Sequence, residues 1–235
     1  MAVLFDLLFP PRCASCGTGA WPLCRHCAAR AAVLTPPACE RCGRPWEEPL
    51  RSCADCPPRP IHAARAPFGY EGPVARAIRG LKFSGWRALA PSLAGAMVES
   101  LQVHPVDGFV PDTVAWVPLS PRRRGTRGFD QAEVLAGLVA RNLGLDAVPL
   151  LSRVRETPAQ ATRTGRERRR TLRGAFAPTG RAPPSVLLVD DVLTTGITAA
   201  ACAAALLKGG ARRVVVLAAA RSCRGEVPAR CYGRV

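Results

Sequence analysis

The sequence predicts an α/β protein whose mainly parallel sheet carries helices on both faces, with a small metal-binding ribbon in front of it. From about residue 64 onward, short apolar runs alternate with stretches of helical periodicity, as expected for strands joined by crossover helices. The first sixty residues instead hold four Cys-x-x-Cys pairs, a pattern typical of metal ribbons. We therefore expect a ribbon over residues 1–60 and an α/β domain over residues 64–235.

Composition limits the function classes. The 235 residues are 48% hydrophobic, enough for a packed core, and the formal net charge is +16. Arginine supplies nearly all of this charge, since Lys82 and Lys208 are the two lysines, so we treat the excess partly as compositional bias. No apolar run approaches the ~20 residues of a membrane span, and residues 1–11 lack the basic start of a signal peptide. We expect a cytoplasmic protein.

The cysteine pairs predict two zinc sites. Each Cys-x-x-Cys turn directs two sulfurs at one centre, and two turns complete a tetrahedral thiolate site for Zn²⁺. Sequential pairing needs the shortest loops, and a cross-braced pairing stays open. Four sulfur ligands leave no open position, so both sites are expected to be structural rather than catalytic. The expected ligands are Cys13, Cys16, Cys24 and Cys27 for one ion, and Cys39, Cys42, Cys53 and Cys56 for the other.

The first half of the α/β domain is expected to begin with a strand over residues 63–70. Val74, Ile78 and Leu81 lie at helical spacing after Pro73, and a second helical pattern covers residues 87–101. A buried strand over 113–119 then leads into an Arg-rich loop over 120–128. Asp130 is expected to cap the next helix, with Glu133 completing a capping box and Gly144 ending the helix.

The second half ends in the most regular pattern of the chain. A short strand is expected over 147–151, followed by a long Arg-rich loop over 152–175. The run 185–190 predicts a strand, 197–208 an Ala-rich helix closed by two glycines, and 212–220 the last strand.

The stretch "VLLVDDVLTTGIT", residues 186–198, predicts a ligand site. Asp190 and Asp191 follow a buried strand, and ligands of parallel sheets bind at the carboxyl ends of strands. Backbone N–H groups at the start of the next helix attract phosphate, Gly196 permits close approach, and the hydroxyls of Thr194, Thr195 and Thr198 add donors. The carboxylates suit sugar hydroxyls or Mg²⁺, so a phosphorylated ribose fits both halves.

Two other protein classes that contain a similar strand ending in aspartates are excluded. No G-x-x-x-x-G-K-[ST] segment is present, which excludes a P-loop NTPase. Too few residues follow Asp191 for a receiver domain. A purely structural strand with aspartate caps accounts for the apolar run, but it leaves Thr-Thr-Gly-x-Thr unexplained.

"VLLVDDVLTTGIT" resembles the 5-phosphoribosyl-1-pyrophosphate (PRPP) motif of type I phosphoribosyltransferases. The chain as a whole resembles the competence protein F (ComF) family, which has an N-terminal double zinc ribbon. The matching features occur in order: the Cys pairs, "YEGPVARAIRGLKFSG", "VPLSPRRRGTRGFDQAEVLA", "RVRETPAQATRTGRERRRTLRGAF" and the PRPP motif. The resemblance implies a type I phosphoribosyltransferase-like domain behind the double zinc ribbon.

The resemblance also implies roles for individual residues. Asp190 and Asp191 would be the catalytic pair that holds the ribose hydroxyls, and Mg²⁺ would accompany PRPP. Residues 152–175 correspond to the hood loop of active transferases. Asp130 and Thr171 stand where the family usually has Asn. The 5-phosphate would lie on Thr194, Thr195, Gly196 and Thr198, and the pyrophosphate loop would include Leu119, Ser120 and Arg122.

Two function classes follow from this resemblance. In the first, the protein binds PRPP with Mg²⁺ and assists DNA uptake in natural transformation, with single-stranded DNA and the competence machinery as partners. In the second, it is an active phosphoribosyltransferase with an unknown acceptor. A solvated, Arg-rich loop is the plain alternative for the basic runs, and the oligomeric state stays open. The candidate nucleic-acid contacts are Arg123, Arg124, Arg127, Arg168, Arg169 and Arg170.

Overall fold

The computed structural model describes residues 12–83, 86–155 and 171–223, and the backbone of residues 232–233. Arg122 and Arg127 are described by their backbone. The strands are β1 (Val33–Leu34), β2 (Ala63–Arg65), β3 (Phe68–Gly69), β4 (Thr113–Trp116), β5 (Leu151–Arg153), β6 (Phe176–Pro178), β7 (Ser185–Leu193), β8 (Arg213–Arg221) and β9 (Tyr232–Gly233). The helices are α1 (Arg25–Ala28), α2 (Gly72–Phe83), α3 (Ala90–Val103), α4 (Pro121–Arg127), α5 (Gln131–Leu143) and α6 (Ile197–Lys208).

The sheet is built around β7 and β8, two parallel strands of nine residues each. Its order is β4-β7-β8-β3-β1-β9, with β2 also paired to β8. The pairs β4–β7, β7–β8, β2–β8 and β3–β8 are parallel, whereas β1 and β9 add antiparallel strands at one side. Parallel strands buried on both faces require near-continuous apolar runs, and β7 and β8 provide them.

Helices cover both faces of this sheet. Because side chains alternate along a strand, Leu187 and Val189 of β7 pack with α2, α3 and α5 in one core. Val186 and Leu188 pack with α6 in a second core on the opposite face. The antiparallel hairpin of β5 and β6 adds to the second core through Leu151 and Phe176.

The N-terminal ribbon joins the sheet directly. Its strand β1 pairs with β3 through Val33 and Phe68, so the ribbon continues the sheet across an antiparallel pair. The predicted α/β fold with a mainly parallel sheet and an N-terminal cysteine ribbon is therefore confirmed. Among the described residues, no helix has both the length and the apolar character to cross a membrane.

Several local expectations need correction. The expected loop 120–128 contains α4, because the Ser120 side chain caps it by accepting from the N–H of Arg123 at 3.4 Å, and Gly128, at φ 72°, ends it. The expected strand 147–151 is reduced to a single bridge at Ala147, with β5 starting at Leu151. The expected loop 152–175 begins with two residues of β5, and β5 pairs with β6, which follows the loop. Residues 156–170 of the expected loop lie outside the described residues.

We predict that Gly80→Ala destabilises the protein. A Cβ added at Gly80 would lie 2.1 Å from the Trp86 ring, so the indole would have to leave its place on α2. The expected loss is about 1–3 kcal/mol in the free energy of unfolding, measured by urea denaturation, with a red shift in tryptophan fluorescence.

Gly95→Ala is the matched control, since Gly95 lies in α3 with open space around an added Cβ. This change should stabilise the protein by about 0.5–1 kcal/mol, because alanine restricts the unfolded chain more than glycine does. Equal responses of the two variants would contradict the packing of Trp86 on Gly80.

Candidate functional site

The candidate site lies where β4 and β7 reach the same edge of the sheet. Trp116 pairs with Val189, and the Val117 N–H donates to the Val189 carbonyl at 3.0 Å. Asp190 and Asp191 follow Val189 within β7, and Leu119 follows β4, so the two predicted ligand segments begin side by side. The aspartates lie within β7, which extends three residues beyond its expected end at Asp190.

Asp191 forms an ion pair that the sequence did not reveal. Its Oδ1 lies 2.9 Å from Nζ of Lys82, and both side chains are largely buried, at 14% and 16% exposure. Lys82 lies in the last turn of α2, so this helix supplies a cation directly to the edge of the sheet. Two features of the sequence could have drawn attention to Lys82: lysine is rare in this chain, and Lys82 lies in the segment "GLKFSG".

Asp190 has an unusual protonation equilibrium. Burial and the neighbouring Asp191 carboxylate raise the pKa of Asp190 to about 8, against the attraction of Lys82. Its Oδ1 accepts the N–H of Asp191 at 2.8 Å. Burial and the neighbouring carboxylate therefore favour the protonated form of Asp190 near neutral pH. A ligand that donates hydroxyl protons or brings a cation relieves the desolvation and repulsion between the two carboxyl groups.

The segment Thr194–Thr198, hereafter the phosphate loop after its expected ligand, runs from the end of β7 into the first two residues of α6. Gly196 is the N-cap of α6 with φ 71°, and no side chain caps this helix. The neighbouring helices α4 and α5 are capped by Ser120 and Asp130, respectively. The first N–H groups of α6 therefore lack the side-chain cap that α4 and α5 have, and such groups attract anions.

Asp130 organises the loop after β4. Its Oδ2 accepts the N–H of Leu119 at 2.9 Å, while its Oδ1 accepts the N–H groups of Ala132 at 3.0 Å and Glu133 at 3.4 Å. Burial raises the pKa of Asp130 despite these bonds. The expected N-cap is confirmed, and the same carboxylate also fixes the backbone at Leu119. The side chain of Asp130 thus connects the start of α5 to the loop that follows β4.

The predicted arginine contacts are only partly described. Arg124 pairs with Glu133 at 2.9 Å on the surface, and Arg123 is half-buried in α4. The side chains of Arg122 and Arg127 are not described, although the backbone of both lies in α4, Arg122 in its first turn and Arg127 at its end. Arg168, Arg169 and Arg170 lie outside the described residues.

The cysteines form two clusters with sequential pairing. The four sulfurs of each cluster lie within 4.8 Å of one another: Cys13, Cys16, Cys24 and Cys27 in the first, Cys39, Cys42, Cys53 and Cys56 in the second. In the second cluster, Cys42 and Cys53 are 3.4 Å apart and Cys53 and Cys56 4.0 Å. A tetrahedral ion with Zn–S bonds of about 2.3 Å requires similar sulfur separations.

Buried arginines beside the second cluster also fit zinc. Arg65 and Arg221 are 3% and 1% exposed. Four thiolates and one Zn²⁺ carry a net charge of about −2, which suits two buried guanidinium groups. The donor set and its surroundings therefore match structural Zn²⁺ in both number and charge.

Comparison with known proteins first gives the class. The double zinc ribbon domain family matches residues 4–57, which include all eight clustered cysteines. The chain is thus a protein with two four-cysteine zinc sites in front of an α/β sheet.

Relatives then give the family. The DNA utilization protein YhgH of Salmonella typhimurium is 34% identical over 185 residues, covering 75% of this chain and 80% of its own. Competence protein F of Haemophilus influenzae is 30% identical over 185 residues, 74% of this chain and 79% of its own. The chain belongs to the competence protein F (ComF) family.

Solved structures of adenine phosphoribosyltransferase are more distant. One is 17% identical at a TM-score of 0.31, covering 54% of this chain and 71% of its own. The Saccharomyces cerevisiae enzyme is 19% identical at a TM-score of 0.31, covering 54% and 70%.

We predict that the wild-type protein binds two zinc ions and that each cluster holds one. Cys16→Ser combined with Cys24→Ser should retain one ion, because both ligands belong to the first cluster. Cys16→Ser combined with Cys53→Ser should lose both ions. Zinc per chain, measured by atomic emission, distinguishes this pairing from a cross-braced one, for which the first variant would also lose both.

We predict that the wild-type free energy of unfolding falls as the pH rises from 6 to 9. The folded-state pKa of Asp190 is raised from 3.8 to about 8, so the stability that its proton supplies is fully present below the lower value and is lost as the pH rises through 8. Asp190→Asn should remove this decline and stabilise the protein at pH 9 by roughly 1–3 kcal/mol.

Urea denaturation across this pH range measures the effect. Asp146→Asn is the control, since Asp146 is exposed, and it should keep the wild-type profile. A wild-type decline that persists in Asp190→Asn would place its origin elsewhere.

Proposed function

We propose that the edge site binds PRPP together with Mg²⁺. The observation that carries this proposal is the uncapped N-terminus of α6 at Gly196 directly after the paired carboxyls of Asp190 and Asp191. One short segment of chain thereby offers both anion-binding N–H groups and carboxyl groups that can accept from hydroxyls, the two kinds of group that a phosphorylated sugar requires.

Each part of the ligand has a group in the protein to bind it. The 5-phosphate would accept from the N–H groups and hydroxyls of the phosphate loop, and the ribose hydroxyls would donate to Asp190 and Asp191. The pyrophosphate would lie near Leu119, Ser120 and Arg122, the segment that Asp130 holds in place. Paired carboxylates with hard oxygen donors fit Mg²⁺, which would neutralise the charge of the pyrophosphate.

Lys82 has a part in this scheme as a counter-ion. With no ligand bound, its ammonium partly offsets the charge of Asp191 across 2.9 Å. Hydroxyl donors and a cation would compete for the same oxygen, so binding would have to loosen the Lys82–Asp191 pair. The contact keeps both side chains ordered and close to the place where the ribose would lie.

We place this activity in DNA uptake. Relatives at 30% and 34% identity are named competence protein F and DNA utilization protein. In this role a cytoplasmic protein would bind PRPP and would contact single-stranded DNA and the competence machinery through its basic side chains. Arg123 and Arg124 of α4 lie next to the proposed pyrophosphate loop, and Arg127 and Arg168–Arg170 are further candidates by sequence.

We predict that Asp190→Asn combined with Asp191→Asn abolishes PRPP binding. The double change removes the carboxylates proposed for the ribose hydroxyls and Mg²⁺, and it leaves the fold of β7 intact because asparagine keeps the side-chain shape. Calorimetric titration with PRPP and MgCl₂ measures the affinity, and the zinc content should stay at two ions per chain.

The control is Asp107→Asn combined with Asp146→Asn, an equal change in charge at exposed positions. Unchanged PRPP affinity in the Asp190/Asp191 variant would overturn the site. Pyrophosphate release from PRPP in the presence of candidate nucleophiles would favour the alternative, an active phosphoribosyltransferase.

A further inference from the structure

We propose that Pro57 and Pro58 are positioning residues of the phosphate loop, so that zinc in the second cluster determines how well the site is preformed. This inference rests on the proposed function for its effect on ligand affinity. Its structural part, the positioning of Gly196, can be tested without any ligand.

The first observation is a direct contact. A Cβ added at Gly196 would lie 2.7 Å from Cβ of Pro57 and 3.2 Å from Cδ of Pro58. The two prolines therefore lie against the backbone of the phosphate loop at its turning point. Since Gly196 is also at φ 71°, both its conformation and its neighbours exclude a side chain.

The second observation is that the zinc ligands hold these prolines in place. Pro57 follows Cys56 immediately, and Cys56 donates its N–H to the Cys53 carbonyl at 3.2 Å in the turn that presents both sulfurs. The Pro57 carbonyl accepts from Nη2 of Arg41 at 2.6 Å, and Arg41 lies between the ligands Cys39 and Cys42. Pro57 is thus anchored to both Cys-x-x-Cys turns of one cluster.

The third observation is a brace between the cluster and the end of the sheet. Arg221, the last residue of β8, donates to the Cys42 carbonyl and, at 3.2 Å, to the Asp55 carbonyl. In the sheet, Arg221 pairs with Leu193, the residue immediately before the phosphate loop. The prolines that follow the cluster therefore contact the loop at Gly196. Arg221 links the cluster to Leu193, the residue before the loop begins.

These contacts give the second zinc ion a role beyond stabilising the ribbon. Without the ion, the two Cys-x-x-Cys turns lose their common centre, so the two turns that anchor Pro57 are no longer fixed relative to each other. The phosphate loop would then fluctuate among more conformations, and a phosphate ligand would have to order it on binding. The first cluster contacts α2 instead, where Arg76 donates to Ser15 at 3.0 Å.

The test is Pro57→Gly, which removes the Cβ that touches Gly196. We expect amide hydrogen exchange at Ala200, whose N–H donates to the Gly196 carbonyl at 2.8 Å, to accelerate about tenfold. The PRPP dissociation constant in MgCl₂ should rise about tenfold. The zinc content, measured on the same sample, should stay at two ions per chain.

Two matched variants separate this contact from general disruption. Pro57→Ala keeps the Cβ and should retain near wild-type exchange. Pro49→Gly makes the same change at an exposed proline of the same cluster and should leave Ala200 unaffected. Cys53→Ser should accelerate exchange at Ala200 more than Cys16→Ser, although each variant loses one ion.

The outcomes are distinct. Unchanged exchange and unchanged affinity in zinc-loaded Pro57→Gly would overturn the inference, and wild-type binding of PRPP would leave the proposed function standing. Failure of the wild-type protein to bind PRPP would overturn the proposed function, whereas faster exchange at Ala200 in Pro57→Gly would still support the positioning role.

Discussion

A buried guanidinium group joins the two halves of this protein. Arg221 is 1% exposed, and burying a cation of this kind costs several kcal/mol unless it is paired. It donates to the backbone carbonyls of Cys42 and Asp55. Burial lowers the pKa of Arg221, but the neighbouring cysteines, Cys42 foremost, together raise it above its ordinary value. The end of β8 thus depends on the ribbon for its charge balance, and the ribbon depends on β8 for its position.

The same edge of the sheet contains several groups that a protein designed for stability alone would avoid. Asp190 lies beside Asp191 with a raised pKa, and α6 begins without a side-chain cap. Each of these features costs free energy in the absence of a ligand, and each would favour the phosphorylated sugar that we propose as the ligand. Elsewhere at this edge the usual compensations are present, since Ser120 and Asp130 cap their helices. The unfavourable groups are therefore concentrated in a single short segment, 190–196.

Much of the architecture was predictable because it depends on local patterns. The apolar runs of β7 and β8, the capping of α5 by Asp130 and the grouping of eight cysteines into two four-cysteine sites follow from patterns along the chain, although the pairing of the cysteines stayed open until the structure showed it. Contacts between distant segments were not predictable in this way. Lys82 pairs with Asp191, which lies 109 positions further along the chain. Nothing in the sequence around either residue predicts that the two are in contact.

The loop after β4 shows a second limit of sequence analysis. A run of arginines with a glycine suggests an irregular loop, but Ser120 and Pro121 start a helix that ends at Gly128. Capping residues outweighed composition there because they satisfy the backbone at both ends of a short helix. The hairpin of β5 and β6 was missed for a different reason: its strands have three residues each, too few for a periodic pattern.

Contacts of both cysteine clusters with the α/β domain fix the position of the ribbon. The first cluster packs on α2 through Ser15 and Arg76, and the last turn of α2 carries Lys82, which pairs with Asp191. The second cluster packs on the phosphate loop through Pro57. Each cluster therefore contacts an element that carries part of the candidate site. Zinc clusters suit this task because metal–thiolate bonds fix a small loop-rich unit that has little apolar core of its own. Such a unit can hold the edge of the sheet in place beside the candidate site, whose residues we propose to bind a ligand.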